Sequence, residues 1–295
     1  MWYSDITINQ PMEDIKMKKL LALILTLTMV LALCACGGEK APAEDAAPVE
    51  DAPAADAAEE SDLAYVQGKG KMVVGITEFN PMDYRSADDP TGWIGFDADM
   101  AKAFAKSIGV EVEFIEIDWD NKIMELDAKS VDAVWNGMTL TPEALGAMEC
   151  SNPYANNAQV VVVNADVADK YQDEESLKEL NFAVEAGSAG EAEAKSRELS
   201  FTSVLTQADA LLEVASGTSD ACIIDLLMAG AMLGEGTSYP DMTYTVKLNN
   251  EEYGVGFRQG SDMAEKFNEF FDSAMAEGKV VEIATTYGVQ ESIIK

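Results

Sequence analysis

Apolar and polar positions repeat with two different periods along the chain from residue 65 onward. Short apolar runs at Lys71–Ile76 and 159–163 predict buried strands. Elsewhere apolar residues recur every three or four positions, as in 97–108 and Gln207–Ser216, and each of these two segments is followed by a glycine suited to cap a helix. Strands that alternate with helices are typical of an α/β domain with mainly parallel sheets.

The same two periods predict the remaining elements. Strands are expected at 110–114, 131–135, 182–184, 221–224, 242–247 and 253–257, and helices at 123–128, 142–148, 226–233 and 263–275. Thr141 and Pro142 suit the N-cap and the first position of the second of these helices. The last helix carries methionine and aromatic residues at helical spacing, which favours core packing over a cofactor site.

The first 35 residues follow a pattern typical of export. The apolar run at 20–33 follows three lysines and is shorter than the roughly 20 residues that a membrane-spanning helix needs, so it predicts a signal peptide over 1–35. The segment that follows, Leu33-Cys34-Ala35-Cys36, resembles a bacterial lipobox. Cys36 is the expected lipidation site, because cleavage before Cys34 would place bulky Leu33 where a small residue is expected. The alternative is an ordinary signal peptide with two unmodified thiols.

Residues 36–64 differ from the rest of the chain in composition. Beyond Cys36 they are rich in Ala, Pro, Asp and Glu, with few large apolar side chains, which predicts a disordered acidic tether after the lipidated cysteine. An Ala-rich helix is disfavoured by three prolines spread along the segment. The residues before Met17 fit no export pattern, which favours Met17 over Met1 as the start of translation.

Charge and missing residue types exclude several classes of function. The 295 residues contain 20 Lys and Arg against 53 Asp and Glu, a net charge of −33, so phosphate backbones would be repelled and no nucleic-acid partner is expected. The chain has no histidine, which excludes Ser-His-Asp catalysis and imidazole metal ligation. No metal or cofactor is therefore predicted. Cys150 and Cys222 lie beside or within predicted strands, which favours buried thiols over a disulfide.

An ordered series of segments between residues 65 and 295 carries a family resemblance. The segments are GKMVVGITEFNPMDY, WIGFDADMAKAFAKSIGVEVEFIEIDWDNKI, VDAVWNGMTLTPE, NPYANNAQVVVV, FAVEAGSAGE, SGTSDACIID and EEYGVGFRQGSDM. In this order they resemble family 3 solute-binding proteins, the receptors of polar amino-acid ABC importers. The resemblance implies a type 2 periplasmic-binding fold, with two α/β lobes joined by two crossing strands. Lobe 1 would be 65–157 and 249–295, and lobe 2 would be 158–248.

The resemblance also implies a set of ligand contacts in the cleft. Phe79 and Trp119 match positions where family members place aromatic rings against the ligand. Asn136, Gly137 and Thr139 match the segment that contacts the ligand's polar head. A simpler interpretation of Phe79 is packing of its own loop, and Thr139 could serve only to cap the following helix.

Two acids and one missing arginine shape the expected specificity. Asp225 matches the acid that receives the ligand's α-ammonium, and Glu185 lies across the cleft. The arginine that pairs with the α-carboxylate in a T-P-E-R motif is replaced here by Ala144. Two alternatives stay open: a cationic solute held by aromatic rings with Glu78, Glu185 and Asp225, or an amino acid whose carboxylate is met by backbone donors at 139–141.

The predicted function is therefore a binding protein and not an enzyme. It would be a monomer, lipid-anchored to the outer face of the cytoplasmic membrane, that captures an amino acid or related amine and delivers it to an ABC permease. One alternative is a dehydratase-like enzyme on the same fold, in which Glu143, Glu185 or Asp225 acts as acid or base. Another is a ligand-sensing domain.

Overall fold

The chain forms two separate mixed β-sheets, each covered by helices. The computed structural model describes residues 61–86 and 90–294, so the predicted signal peptide, Cys36 and nearly all of the predicted tether lie outside the described residues. Within the described ranges, no helix combines the length and the hydropathy needed to cross a membrane. Cys150 and Cys222 are both free thiols.

Sheet 1 contains six strands in the order β4-β1-β5-β13-β6, with β7 also pairing with β13. β1 runs parallel to β4 and β5, and β13 runs antiparallel to β5, β6 and β7. The strands are β1 Lys71–Ile76, β4 Glu111–Glu116, β5 Ala133–Thr139, β6 Glu149–Cys150, β7 Ala155–Asn157 and β13 Glu251–Phe257. The helices that accompany them are α1 Asp62–Lys69, α2 Phe96–Ser107, α3 Lys122–Asp127, α4 Pro142–Ala147, α8 Met263–Ala276 and α9 Lys279–Thr286. A small hairpin, β2 Tyr84–Arg85 and β3 Trp93–Ile94, precedes α2.

Sheet 2 contains five strands in the order β10-β9-β11-β8-β12. β9 runs parallel to β10 and β11, and β8 runs antiparallel to β11 and β12. The strands are β8 Gln159–Asn164, β9 Asn181–Glu185, β10 Ser200–Val204, β11 Ala221–Asp225 and β12 Met242–Lys247. The helices are α5 Ala189–Ser196, α6 Gln207–Ser216 and α7 Leu226–Met232, with short 3₁₀ turns at Ala168–Lys170 and Ser176–Glu179.

The chain passes between the two sheets twice. It leaves sheet 1 after β7 and enters β8 one residue later, and it returns from β12 to β13 through residues 248–250. The two crossings are joined by hydrogen bonds, from Leu248 N to Gln159 O at 2.9 Å and from Gln159 N to Asn249 Oδ1 at 2.7 Å. Two α/β lobes connected by two adjacent crossings constitute the predicted type 2 periplasmic-binding fold.

The cores are built from the apolar positions that the periodicity identified. The strands β1, β5, β8 and β11 are buried along almost their whole length. In lobe 1, rings from α2, β5 and α8 meet edge-to-face, with ring centroids of Trp135 and Phe267 4.9 Å apart and those of Phe104 and Phe267 5.6 Å apart. The methionine and aromatic side chains of α8 pack into this core, in agreement with the interpretation of their spacing.

The folded region begins earlier than predicted. Helix α1 starts at Asp62, inside the segment 36–64 that composition assigned to the tether. Ser61 caps the helix by accepting a hydrogen bond from Ala64 N at 3.0 Å, and Asp62 pairs with Arg258 at 2.9 Å. Residues 62–64 are therefore folded, because a cap and a buried ion pair stabilise a helix turn that has few apolar residues.

Candidate functional site

A cavity of about 200 Å³ lies between the two sheets, where the loops after β5, β9 and β11 face each other. Its walls include six of the seven predicted ligand-binding residues: Trp119, Asn136, Gly137, Thr139, Glu185 and Asp225. Glu185 ends β9 and Asp225 ends β11, so the ends of two parallel strands bring two carboxyl groups to one place. Ligands of open α/β sheets bind outside the carboxyl ends of their strands, which is the position of this cavity.

Phe79 does not line this cavity. Its ring is only 1% exposed and meets the ring of Tyr253 edge-on, with a centroid distance of 6.4 Å. Its Cε1 atom lies 2.5 Å from the point where a Cβ on Gly137 would stand. The structure therefore places Phe79 outside the wall of this cavity. Instead the ring packs beneath the backbone of β5, because Gly137 has no side chain to occupy that space.

Asn136 and Gly137 are held in place by buried polar contacts behind the cavity. Asn136 accepts from Thr77 N at 3.0 Å and donates to Thr77 Oγ1 at 2.9 Å, which ties β5 to the loop after β1. Gly137 adopts a positive φ of 56° and its N–H donates to Asp97 Oδ2 at 2.6 Å. These two residues therefore present backbone and amide atoms on a rigid wall.

The hydroxyl groups of Thr139 and Thr141 are already engaged. Thr139 Oγ1 donates to Glu251 Oε1 at 3.0 Å, and Thr141 Oγ1 caps α4 by accepting from Ala144 N at 3.1 Å. The N–H of Thr141 donates to Thr139 O at 2.8 Å, and that of Leu140 donates to Glu252 O at 2.9 Å. The N–H groups of Leu140, Thr141 and Ala144 could therefore meet a ligand carboxylate only by giving up these bonds.

Asp225 is the centre of a network that spans both sheets. Its Oδ1 accepts from Tyr253 Oη at 2.6 Å, from Gln159 Nε2 at 3.0 Å and from Asn157 Nδ2, and its Oδ2 accepts from Gln207 Nε2. Asn157 and Tyr253 belong to sheet 1, whereas Gln159 belongs to sheet 2. Burial raises the pKa of Asp225 to about 8, and the negative charge of nearby Glu251 contributes to the same shift.

Glu185 is buried with an unsatisfied oxygen. Its side chain is part of the cavity wall, the residue is 2% exposed, and Oε1 has no hydrogen-bond partner among the described residues. Burial raises the pKa of Glu185 to about 8, and the negative charge of Asp225 contributes to the same shift. Burial disfavours the ionised form of both carboxyl groups, and a cationic group of a ligand beside them would favour it.

Lys122 is a cavity residue that sequence reasoning missed. It is the first residue of α3, one helical turn after Trp119, and its Nζ donates to Gly187 O at 2.8 Å and to Trp119 O at 3.2 Å. Nζ also lies 5.2 Å from the centroid of the Trp119 ring. Burial lowers its pKa, against the opposing effects of Glu143 and Glu185. The sequence offered one signal for it, a lysine three residues after Trp119.

Gln207 is the second missed residue. It is the first residue of α6, where Thr206 provides the cap, and its amide both donates to Asp225 Oδ2 and accepts from Asp225 N at 2.9 Å. A glutamine at a helix start carries no chemical signature in the sequence alone, so only the structure identifies it. Ala144 is also part of the cavity wall, where it contributes only a methyl group.

Comparison with known proteins gives a consistent result. The family model described as "Bacterial extracellular solute-binding proteins, family 3" matches residues 72–290. An arginine-binding extracellular protein, ArtP of Bacillus subtilis, is 28% identical over 263 residues, covering 86% of this chain and 91% of that protein. A probable histidine-binding protein of Neisseria gonorrhoeae is 27% identical over 282 residues, covering 93% of this chain and 97% of that protein.

Solved structures agree with this relationship. A crystal structure of a mutant of ArgBP from T. maritima superposes with a TM-score of 0.71 at 27% identity, covering 77% of this chain and 98% of that one. An ancestral amino acid-binding protein, described as a precursor of cyclohexadienyl dehydratase, superposes with a TM-score of 0.69 at 28% identity, covering 77% and 99%. The two curated relatives are named as binding proteins and not as enzymes.

Proposed function

The chain belongs to family 3 of the bacterial extracellular solute-binding proteins, and we propose that it is the binding subunit of an ABC importer that captures an amino acid or a related small amine. The single observation that supports this most is the cavity between the two sheets, with Glu185 and Asp225 in one wall and Trp119 and Lys122 in another. Charged groups of both signs around a small enclosed space suit a small charged solute. The chain is a binding protein and not an enzyme.

The proposed ligand contacts use the groups that remain available. Glu185 Oε1 would accept from the ligand's ammonium group, since it has no partner among the described residues. Asp225 would contribute charge to the same wall while it keeps its network to both sheets. The ring of Trp119, a residue that is 7% exposed, would pack on the ligand. The solute would be enclosed by movement of one lobe against the other about the two crossings.

The proposed location is the outer face of the cytoplasmic membrane. Family membership supports an extracytoplasmic protein. The finer proposal is that Cys36 carries the lipid, that residues 37–60 form the spacer, and that the folded part delivers its solute to a membrane permease. Replacing Cys36 by Ser should release the chain from membranes in detergent-phase partitioning without changing its affinity for solute. Continued membrane association of that variant would count against lipidation at Cys36.

A ligand screen tests the binding function. The full chain is melted with L-arginine, L-histidine and the matching amines agmatine and histamine, because two of its relatives are named for the first two solutes. A solute present at 100 times its Kd should raise the free energy of unfolding by about 2.7 kcal/mol. Mass spectrometry should recover the bound solute unaltered and at one molecule per chain. Turnover of the solute would contradict a purely binding role.

A further inference from the structure

The wall of the cavity contains one half-buried cation, Lys122, that forms no ion pair with a carboxylate of the described residues. Lys122 Nζ lies within 4.0 Å of no carboxylate among the described residues, and its two acceptors are the backbone carbonyls of Gly187 and Trp119. Other half-buried lysines can pair with carboxylates, as Lys69 does with Asp132 at 2.5 Å. The amine of Lys122 thus keeps its charge unpaired in a protein that carries a net charge of −33.

This placement is unfavourable for folding alone. Lys122 opens helix α3, where the helix dipole disfavours a positive charge. Burial removes much of its hydration, and the favourable charges of Glu143 and Glu185 act without a direct ion pair. A charged residue that breaks these local rules and has no carboxylate partner among the described residues is expected where function requires it.

The cavity holds charges of both signs, and its cation lies on the lobe 1 side, where Glu143 of α4 also lines the wall. Glu185 and Asp225 come from the strand ends of sheet 2, whereas Lys122 comes from the lobe 1 side, next to Trp119. Lys122 reaches the lobe 2 loop only through Gly187 O. The N–H groups of Leu140, Thr141 and Ala144 already donate within the protein. A ligand with an ammonium group and a carboxylate would satisfy both walls together.

We propose that Lys122 Nζ binds the carboxylate of a zwitterionic solute, with the solute's ammonium group directed at Glu185 and Asp225. The inference rests on the proposed binding function and decides between the two specificities that the sequence leaves open. The solute is an amino acid and not a purely cationic amine. The alanine at 144 is then tolerated because a cation enters the same cavity from α3.

Substitution of Lys122 by Met tests this assignment, since Met keeps the stem of the side chain and removes the charge. The affinity of the full-length variant is measured by titration calorimetry for each amino acid of the screen and for its decarboxylated counterpart, L-arginine with agmatine and L-histidine with histamine. The variant should bind the amino acid at least about 30-fold more weakly than the unmodified chain does, the usual loss when one member of a buried charged pair is removed. Its affinity for the amine should stay the same or rise, because a like charge has left the cavity.

Three further variants make the result specific. Lys106→Met removes an exposed lysine of α2 away from the cavity and should leave all four affinities unchanged. The double variant Lys122→Met with Ala144→Arg places a new cation in the same cavity and should recover binding of the amino acid. Lys122→Arg, which keeps the charge, should retain most of the affinity and shows whether loss of charge or a folding defect is responsible.

The alternative role for Lys122 is a link between the lobes through Gly187 O. That role predicts an equal loss of affinity for the amino acid and for the amine, and such a result would overturn the proposal. Unchanged affinity of Lys122→Met for the amino acid would overturn it as well. If the unmodified chain binds an amine but no amino acid, the inference fails while the binding function stands. If no solute binds, the proposed function fails and the inference fails with it.

Discussion

Gly137 shows how one missing side chain shapes the wall of the site. Its φ of 56° belongs to the left-handed region, and an added Cβ would stand 2.5 Å from Phe79 Cε1 and 3.1 Å from Tyr253 Cε2. Both rings are fully buried and have no space to move away. The backbone of β5 can thus approach the cavity only because residue 137 has no side chain.

Replacing Gly137 by Ala should therefore destabilise the chain by about 2–4 kcal/mol, the sum of backbone strain and steric overlap. The free energy of unfolding from urea denaturation measures the effect. Gly146→Ala is a matched control, because Gly146 lies in helix α4 with no atom within 4 Å of the added Cβ. That substitution should be neutral or stabilise the chain by up to about 1 kcal/mol. Equal stability of the two variants would contradict the packing described for Gly137.

Among the secondary-structure elements, helix α1 is held against sheet 1 by contacts of Arg258. Its Nε donates to Asp62 Oδ2 at 2.9 Å, its Nη1 donates to Val131 O at 2.8 Å, and Asp132 lies 3.4 Å from Nη2. The guanidinium group is almost fully buried. Since Asp132 Oδ2 also accepts from Val73 N at 2.7 Å, one ion cluster joins α1, β1 and the segment before β5.

Arg258→Met should destabilise the chain by about 3–5 kcal/mol, because it leaves the buried carboxylate of Asp62 without its partner and removes one of the two cations beside Asp132. The matched control is Lys71→Met, which removes a pair with Glu113 whose side chains are 49% and 46% exposed. An exposed pair contributes about 1 kcal/mol or less. Urea denaturation should separate the two variants clearly, and similar losses would mean that the Arg258 cluster is not a principal tether of α1.

The predictability of each element depended on how many apolar positions it contains. Helix α6 and strands β1 and β12 have the predicted bounds: the buried positions of α6 recur at helical spacing, and β1 is buried in one continuous run. Helix α1, helix α5 and strand β10 were not predicted. They are rich in small and polar residues, and contacts with distant parts of the chain, such as that of Arg258 with Asp62, hold α1 in place.

The candidate site was predictable to a similar degree. Resemblance identified six residues that share the cavity, although nothing in their spacing alone would have brought Trp119 near Asp225. Lys122 and Gln207 were not predicted, because a single polar residue at the start of a helix is common and carries no specific signal in the sequence. Phe79 lies away from the cavity because the absence of a side chain at Gly137 leaves space for its ring below β5.

For the whole molecule, buried acids make stability depend on pH. Burial raises the pKa of Asp97 to about 7 and, with nearby charges, those of Glu185 and Asp225 to about 8, and it raises the pKa of Asp83 well above its usual value. Unfolded Asp and Glu titrate near pH 4. Between pH 4 and pH 8 the folded chain therefore binds more protons than the unfolded chain, so the free energy of unfolding falls as pH rises.

The free energy of unfolding should decrease by about 3 kcal/mol or more between pH 5 and pH 8 in the absence of solute, since each fully shifted group contributes up to about 1.4 kcal/mol per pH unit. Urea denaturation across this range at constant ionic strength measures the slope. Asp97→Asn should reduce the slope, because it removes one titrating group and can still accept from Gly137 N and Tyr154 Oη. Stability that is constant or rises with pH would contradict the raised pKa values.

The order of strands in sheet 1 has a consequence for the synthesis of the chain. Strand β13 lies between β5 and β6 in that sheet, yet it follows the whole of sheet 2 in the sequence. A chain made from its N-terminus has all five strands of sheet 2 available before β13 exists. Lobe 2 can therefore complete its sheet first, while β5 keeps an open edge until residues 251–257 have been made. Lobe 1, which contains the first strand of the chain, is therefore the last lobe to complete its sheet.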